Sequence, residues 1–237
     1  MSISTEEYLE ALYNLSRESE PVSTSAISKR LNIAPASVTE MMHKLAKKGY
    51  VNYSPYQGVT LTPKGYRAAE KMTRKHRLLE KFLYEVLKIG KNRVHKEACD
   101  MEHALSEETA RAICQFLESP YMCPDDRQLI PPCDLGFSNC DECRNWPQDN
   151  PQKIPKRKTK LTSISDLKEN DEGIISFIRG DSALLQKLLD QGLKPGTKVK
   201  VDRMDPSNGI TEITCRGSRL PLEDKITWNT FVKKVPI

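Results

Sequence analysis

Three residues of types that bind transition metals lie close together near the middle of the chain. The segment 95–103 contains Cys99, Glu102 and His103 at positions i, i+3 and i+4. On an α-helix this spacing places a thiol, a carboxylate and an imidazole on one face. Such a mixed donor set suits a borderline divalent ion such as Fe(II), Mn(II), Co(II), Ni(II) or Zn(II). Upstream, His76 and Glu80 form an i, i+4 pair, so the sequence predicts two successive ligand-bearing helices.

A second group of candidate ligands lies in a proline-rich segment with little periodicity. Its four cysteines follow the spacing C-x9-C-x6-C-x2-C and are Cys123, Cys133, Cys140 and Cys143. Because C-x2-C allows two thiolates to hold one ion, this pattern predicts a metal centre. Two chemistries stay open here, a structural zinc site and an iron–sulfur cluster that senses redox state. Cys114 and Cys215 have no partner at such a spacing and are interpreted as core residues.

The residues before these ligands have the pattern of a winged helix-turn-helix. An amphipathic helix is predicted over residues 4–18, and Ser23 or Thr24 caps a short helix that ends near Leu31. Pro35 then begins a second helix that Gly49 ends. Two β-rich segments, 50–53 and 58–62, predict a hairpin wing. Further helices are expected over residues 64–89, 92–105 and 107–119.

The second helix of this motif enters the major groove of DNA in proteins of this type. Its N-terminal residues are small or hydroxylic, which suits thymine methyl groups and phosphates better than guanine. The predicted DNA-binding residues, including one in the wing, are Pro35, Ala36, Ser37, Thr39, Glu40, His43, Lys44 and Tyr56. The alternative is a winged helix that contacts protein. The lysine-rich end of the helix favours DNA.

The pattern changes at Leu161 to short strands with one helix, which predicts a small SH3-like β-barrel. We therefore expect a mainly α protein with a small β part. The predicted domains are a winged helix-turn-helix over 1–72, a helical metal-binding and dimerisation domain over 73–120, a cysteine-rich connector over 121–160 and an SH3-like domain over 161–237.

Composition limits the other classes of function. The net charge of +5 over 237 residues does not by itself establish nucleic-acid binding. No apolar stretch approaches the ~20 residues that span a bilayer, and the acidic N-terminus lacks a secretion core, so we expect a cytoplasmic location. The chain also lacks an oxyanion-hole loop and a phosphate-binding glycine motif, so we expect no enzyme activity.

Four stretches of the chain resemble the diphtheria toxin repressor family, which comprises iron- and manganese-dependent repressors. They are STEEYLEALYNL, the TPKG that follows the wing, RKHRLLEKFL and VHKEACDMEHALSEE. The resemblance covers about residues 3–120 and extends more weakly into the SH3-like domain. It implies a homodimer that binds a palindromic operator in double-stranded DNA, represses metal-uptake genes and is activated by Fe(II) or Mn(II). The sequence itself does not distinguish repression from activation.

The resemblance also implies two metal sites. The primary site would use Glu7 and Glu10 of the first helix with Cys99, Glu102 and His103. The ancillary site would use His76, Glu80 and His95, with Asp181 of the SH3-like domain. The thiol at Cys99 stands where the manganese branch has a carboxylate, and its softness favours iron. The alternative function is an iron–sulfur or redox-sensing regulator that uses the four cysteines of the connector.

Overall fold

A computed structural model of the chain describes residues 3–146, 154, 156–157 and 159–235. Much of the basic half of the predicted connector, namely 147–153, 155 and 158, lies outside the described residues, as do the two residues at each end of the chain. Within the described ranges, no helix combines the length and the apolar character that crossing a membrane requires.

The N-terminal part is a winged helix-turn-helix, as predicted. Its elements are α1 (Ile3–Ser16), α2 (Thr24–Leu31), α3 (Pro35–Lys47), β1 (Val51–Ser54) and β2 (Gly58–Leu61). Ser23 caps α2 by accepting a hydrogen bond from the Ala26 N–H at 3.1 Å. Asn32, in the left-handed conformation, ends α2 and begins the turn. The core of this domain includes Leu9, Leu12, Ile27, Val38, Met42 and Leu45, all at most 1% exposed.

Three further helices continue from the wing, and they are α4 (Pro63–Glu85), α5 (Lys91–Glu102) and α6 (Glu107–Phe116). Gly65, in the first turn of α4, lies so close to the wing that a Cβ there would stand 1.8 Å from the Tyr50 carbonyl oxygen. Leu79 and Leu83 of α4 pack against Val94 and Ala98 of α5. This apolar contact fixes the rotation of both helices, and therefore the direction in which their polar residues point.

The C-terminal part is an antiparallel six-stranded sheet with strand order β3-β8-β4-β5-β6-β7, which confirms the SH3-like prediction. The strands are β3 (Thr162–Ser163), β4 (Glu172–Ile178), β5 (Lys198–Asp205), β6 (Ile210–Cys215), β7 (Ser218–Glu223) and β8 (Thr230–Val235). Helix α8 (Ser182–Asp190) covers one side, and α9 (Asp224–Thr227) precedes β8. Strand β7 lies at the edge of the sheet, contains Pro221 and is mostly exposed, so its sequence carries little strand signal.

The connector is more ordered than the sequence predicted. Its residues Cys140–Arg144 form a short helix, α7. Arg179, at the end of β4, is 2% exposed and donates hydrogen bonds to the Ile130 carbonyl at 2.5 Å and to Asn229 Oδ1 at 2.8 Å. Since Ile130 belongs to the connector and Asn229 to the barrel, this guanidinium joins the two parts.

Candidate metal centre

The candidate centre is built around His76, a buried residue of α4. Its Nδ1 lies 2.7 Å from Glu102 Oε2 of α5, and its Nε2 lies 2.8 Å from Glu80 Oε1, one turn further along α4. All three side chains are at most 5% exposed. His76 and the two buried carboxylates therefore form a hydrogen-bonded group at the interface between α4 and α5.

His95 and Cys99 extend this cluster towards the surface. His95 Nδ1 lies 2.9 Å from Glu80 Oε1 and 3.1 Å from His76 Nε2. Cys99 Sγ lies 3.8 Å from His95 Nε2 and 3.9 Å from His76 Nδ1. His76, His95 and Cys99 can each offer a ligand atom within 4.8 Å of the others. Two further trios have the same property, and they are Glu10, His76 and Glu102, and Glu80, His95 and Asp125.

The three helical residues of the predicted ancillary site, His76, Glu80 and His95, have ligand atoms within 3.1 Å of one another, and they adjoin residues of the predicted primary site. His76, which the resemblance assigned to the ancillary site, lies in trios with members of both predicted sites. The physical reason is that Cys99 follows His95 by one turn of α5 and shares its face. The metal-free arrangement is one continuous cluster with His76 at its centre.

The close contacts in this cluster shift the pKa values of its members. Burial opposes protonation of His76, but hydrogen bonds to Cys99, Glu102 and Glu80 prevail and raise its pKa. Hydrogen bonds to Cys99 and Glu80 raise the pKa of His95 to about 10. The same contacts lower the pKa of the Cys99 thiol, while burial raises the pKa of Glu10. These imidazolium protons neutralise the buried carboxylates, which is the electrostatic role that a cation would take over.

The first helix reaches the cluster through Glu10, as predicted, but not through Glu7. Glu6 Oε2 lies 2.5 Å from His103 Nδ1, and Glu10 lies in the trio with His76 and Glu102. Glu7 is exposed instead. Because Glu6 and Glu10 are separated by four residues, they share the face of α1 that packs on α4, and Glu7 is rotated away from it. The helical phase in the sequence was sufficient to identify Glu6.

Asp181 is also not part of the centre. It is the exposed N-cap of α8 and accepts a hydrogen bond from the Leu184 N–H at 2.8 Å. The connector lies beside the site instead, where Asp125 joins the trio with Glu80 and His95, and the Cys123 thiol donates to Glu80 Oε2 at 2.7 Å. The sequence carried no signal for Asp125, since connector residues have no periodicity that fixes their position.

The predicted four-cysteine set is wrong in one member. Cys123 lies on Glu80 and not with the other three cysteines. Cys133, Cys140 and Cys143 line a cavity of about 470 Å³, and the fourth cysteine on its wall is Cys114 of α6. Cys114, which the sequence led us to interpret as a core residue, is half-buried and lies on the wall of this cavity.

The predicted DNA-binding residues lie together on the exposed face of α3 and at the tip of the wing. All are exposed except Thr39, which is half-buried, and they are Pro35, Ala36, Ser37, Thr39, Glu40, His43, Lys44 and Tyr56. Val38, Met42 and Leu45 of the same helix are fully buried. Tyr56 has a φ of 65° and a fully exposed ring. Lys44 Nζ lies 2.7 Å from Glu40 Oε1 in an exposed ion pair.

Family comparisons cover most of the chain. The domain described as "Iron dependent repressor, N-terminal DNA binding domain" matches residues 1–59. The "Iron dependent repressor, metal binding and dimerisation domain" matches residues 62–131, and the FeoA domain matches residues 162–234. The three matches coincide with the winged helix, the helical part and the SH3-like barrel.

Individual proteins agree with these matches. An uncharacterised HTH-type transcriptional regulator of Methanocaldococcus jannaschii, MJ0568, is 44% identical over 119 residues, which are 50% of this chain and 95% of that protein. The diphtheria toxin repressor of Corynebacterium glutamicum is 28% identical over 231 residues, which are 98% and 96% of the two chains. The structure of the manganese regulator SloR matches at a TM-score of 0.50 and 25% identity, covering 99% of this chain and 100% of that one. The chain belongs to the diphtheria toxin repressor family of iron-dependent repressors.

Proposed function

We propose that this protein represses transcription by binding a palindromic operator as a homodimer when Fe(II) or Mn(II) occupies the cluster around His76. The observation that carries this proposal is the buried position of His76 between Glu80 and Glu102, within reach of Glu10. The donors come from three helices, α1, α4 and α5. A cation that they share holds the DNA-binding domain against the helical domain.

The residues that would hold the ion are Glu10, His76, Glu80, His95, Cys99 and Glu102. When bound, the ion supplies the positive charge that the imidazolium protons supply in its absence. Glu10 matters most for signalling because it belongs to α1, which packs against α2 of the helix-turn-helix as well as against α4. A coupling of ~1–3 kcal/mol between the metal and DNA sites gives a 5- to 150-fold change in operator affinity.

The donor chemistry favours iron within this pair of metals. Two imidazoles and the Cys99 thiol are softer ligands than the carboxylates that Mn(II) prefers. Glu10, Glu80 and Glu102 bind either ion, so Mn(II) also activates the protein at sufficient concentration.

Dimerisation would cover apolar side chains on the helical domain. Phe116 of α6 is 66% exposed, and Met101 of α5 is 41% exposed. Large apolar groups on the domain that matches the family's dimerisation region are expected to contact a second copy. A two-fold dimer then presents two α3 helices to half-sites about one helical turn of DNA apart.

Selection of duplex DNA from a random pool by the Mn(II)-loaded protein would test this function. Fluorescence anisotropy would then measure the affinity of the selected duplex with Fe(II) under anaerobic conditions, with Mn(II), and after chelation. We expect a palindromic consensus and at least a 5-fold loss of affinity on chelation. Equal affinity with and without metal, or a consensus without two-fold symmetry, would contradict the proposal.

A further inference from the structure

The cavity beside α6 has four thiols on its wall. Cys114 comes from α6, Cys133 from the connector, and Cys140 and Cys143 from α7. All four are free cysteines. Cys140 and Cys143 stand at i and i+3 of the short helix, so both project from one face. Three separate elements therefore meet around one space of about 470 Å³.

The elements that carry these thiols are fixed by hydrogen bonds to arginine and glutamine. Arg157 donates to the Cys133 carbonyl at 2.8 Å, and Arg74 donates to the Cys114 sulfur at 3.0 Å. The Cys143 carbonyl accepts from Arg111 at 2.7 Å and from Gln115 at 3.1 Å. The backbone at the cysteines is thus held around the space, which is the arrangement that a bound group requires.

The sulfur atoms are not arranged as a compact mononuclear site. A tetrahedral zinc ion with Zn–S bonds of ~2.3 Å brings its sulfur ligands to about 3.8 Å from one another. In the described part of the chain, no three of the four sulfurs lie within 4.8 Å of one another. The four cysteines line one cavity, which has room for a multi-atom group.

The electrostatics of the cavity favour a negatively charged occupant. Eight basic side chains face four carboxylates on its wall, and five of the basic residues are arginines, namely Arg67, Arg74, Arg111, Arg157 and Arg179. Arg179 is buried, and its described hydrogen bonds all go to carbonyl oxygens, those of Ile130, Trp228 and the Asn229 side chain. Among the described residues, Arg111 Nε is buried with no hydrogen-bond partner. A buried cation is stabilised by a nearby anion, and a cluster held by four thiolates carries net negative charge.

We propose that Cys114, Cys133, Cys140 and Cys143 bind an iron–sulfur cluster in this cavity. Each thiol releases its proton to solvent as its sulfur bonds to iron, and the cluster takes ferric iron, ferrous iron and sulfide from solution in the proportions it contains, so the step oxidises no iron. The cluster joins α6, the connector and α7 into one unit below the SH3-like barrel. The site is separate from the cluster around His76, and its ligand set differs from the sequence prediction by the exchange of Cys123 for Cys114.

Anaerobic reconstitution of the full chain with ferric iron, ferrous iron and sulfide tests this proposal. We expect a brown protein with equal amounts of iron and acid-labile sulfide, about two to four of each per chain. Cys114→Ser is expected to lose most of this iron and sulfide, whereas Cys123→Ser and Cys215→Ala keep both. Retention in Cys114→Ser, or loss in Cys123→Ser alone, overturns the ligand assignment. Tightly bound zinc that iron and sulfide do not replace, or no bound metal, overturns the proposal.

Thiol alkylation of the wild-type protein gives a second test that does not depend on the folding of a variant. The four cavity thiols are expected to resist iodoacetamide in the reconstituted protein and to react after the cluster is stripped, as read by peptide mass spectrometry. Equal labelling before and after stripping would refute the assignment. Mn(II)-dependent DNA binding of Cys114→Ser, measured in parallel, reports on the proposed function independently.

Discussion

Replacement of Glu102 by glutamine tests whether its buried carboxylate serves both the metal-free fold and the metal. The side chains of Glu102 and His76 are 3% and 5% exposed, and their hydrogen bond measures 2.7 Å. Glutamine has nearly the same volume, so the substitution removes a charge without creating a cavity. A buried hydrogen bond to a charged group contributes ~1.5–3 kcal/mol, so we expect Glu102→Gln to lose about 2 kcal/mol of unfolding free energy without metal at pH 7.

The metal response of the same variant is the more specific measurement. Mn(II) at 100 times its Kd stabilises the wild type by ~2.7 kcal/mol. If the loss of one carboxylate ligand weakens binding 100-fold, the same Mn(II) concentration stabilises Glu102→Gln by only ~0.4 kcal/mol. Urea unfolding followed by circular dichroism, with and without Mn(II), measures both effects.

Glu97→Gln is the matched control on the same helix. Glu97 pairs with Arg93 at 2.7 Å, but the two side chains are 39% and 66% exposed. Exposed pairs contribute ~0–1 kcal/mol, so this variant is expected to keep its stability and the full metal response. A Glu102→Gln protein that retains the ~2.7 kcal/mol response to Mn(II) would show that Glu102 is not a ligand, and the reasoning about the cluster would fail.

Three further outcomes are expected. Because the pKa of His95 is raised to about 10 and that of His76 is also raised, metal binding at neutral pH displaces protons. The Mn(II) affinity should therefore rise ~10-fold per pH unit for each displaced proton between pH 6 and 8, and a flat profile by calorimetry would contradict this. Lys44→Ala is expected to lower operator affinity for all sequences alike and to reduce the slope of log K against log salt by about 1, whereas a change confined to one base position would argue against a phosphate contact. Gly65→Ala should lower the free energy of unfolding by about 3 kcal/mol, because a Cβ there would meet the Tyr50 carbonyl oxygen at 1.8 Å. In the control Gly90→Ala, the new Cβ meets only the flexible Asn92 side chain at 3.0 Å. Urea unfolding should therefore give a lower midpoint for Gly65→Ala and a wild-type midpoint for Gly90→Ala.

The boundaries of the helices in the winged helix-turn-helix could be predicted because they depend on residues that are neighbours in the sequence. Ser23, Asn32 and Pro35 mark the helix boundaries through capping and turn chemistry that depends on neighbouring residues only. Residues that meet through tertiary packing were less readable. The contact of Cys123 with Glu80 spans 43 residues of chain, and no periodic pattern encodes it.

The candidate metal ligands could be predicted from the sequence only in part. Spacing along α5 correctly grouped Glu102 and His103 on one side of the helix, since His103 Nε2 lies 3.6 Å from Glu102 Oε1. It did not show that His76 stands between the two predicted sites, because that depends on how α4 and α5 are rotated against each other. It is Glu6, and not the predicted Glu7, that contacts His103. Glu7 was assigned from the family resemblance, without regard to which face of α1 packs against α4.

Arg179 makes the connector depend on the barrel, because it belongs to the barrel and donates to the Ile130 carbonyl of the connector. A gene truncated before the barrel would remove the guanidinium that satisfies the Ile130 carbonyl, and would uncover the fully buried Ile130 side chain. The match to MJ0568 covers 95% of that protein but only half of this chain, so this relative is shorter. We therefore expect the cysteine-bearing connector and the barrel to be gained or lost together among relatives, as one evolutionary unit.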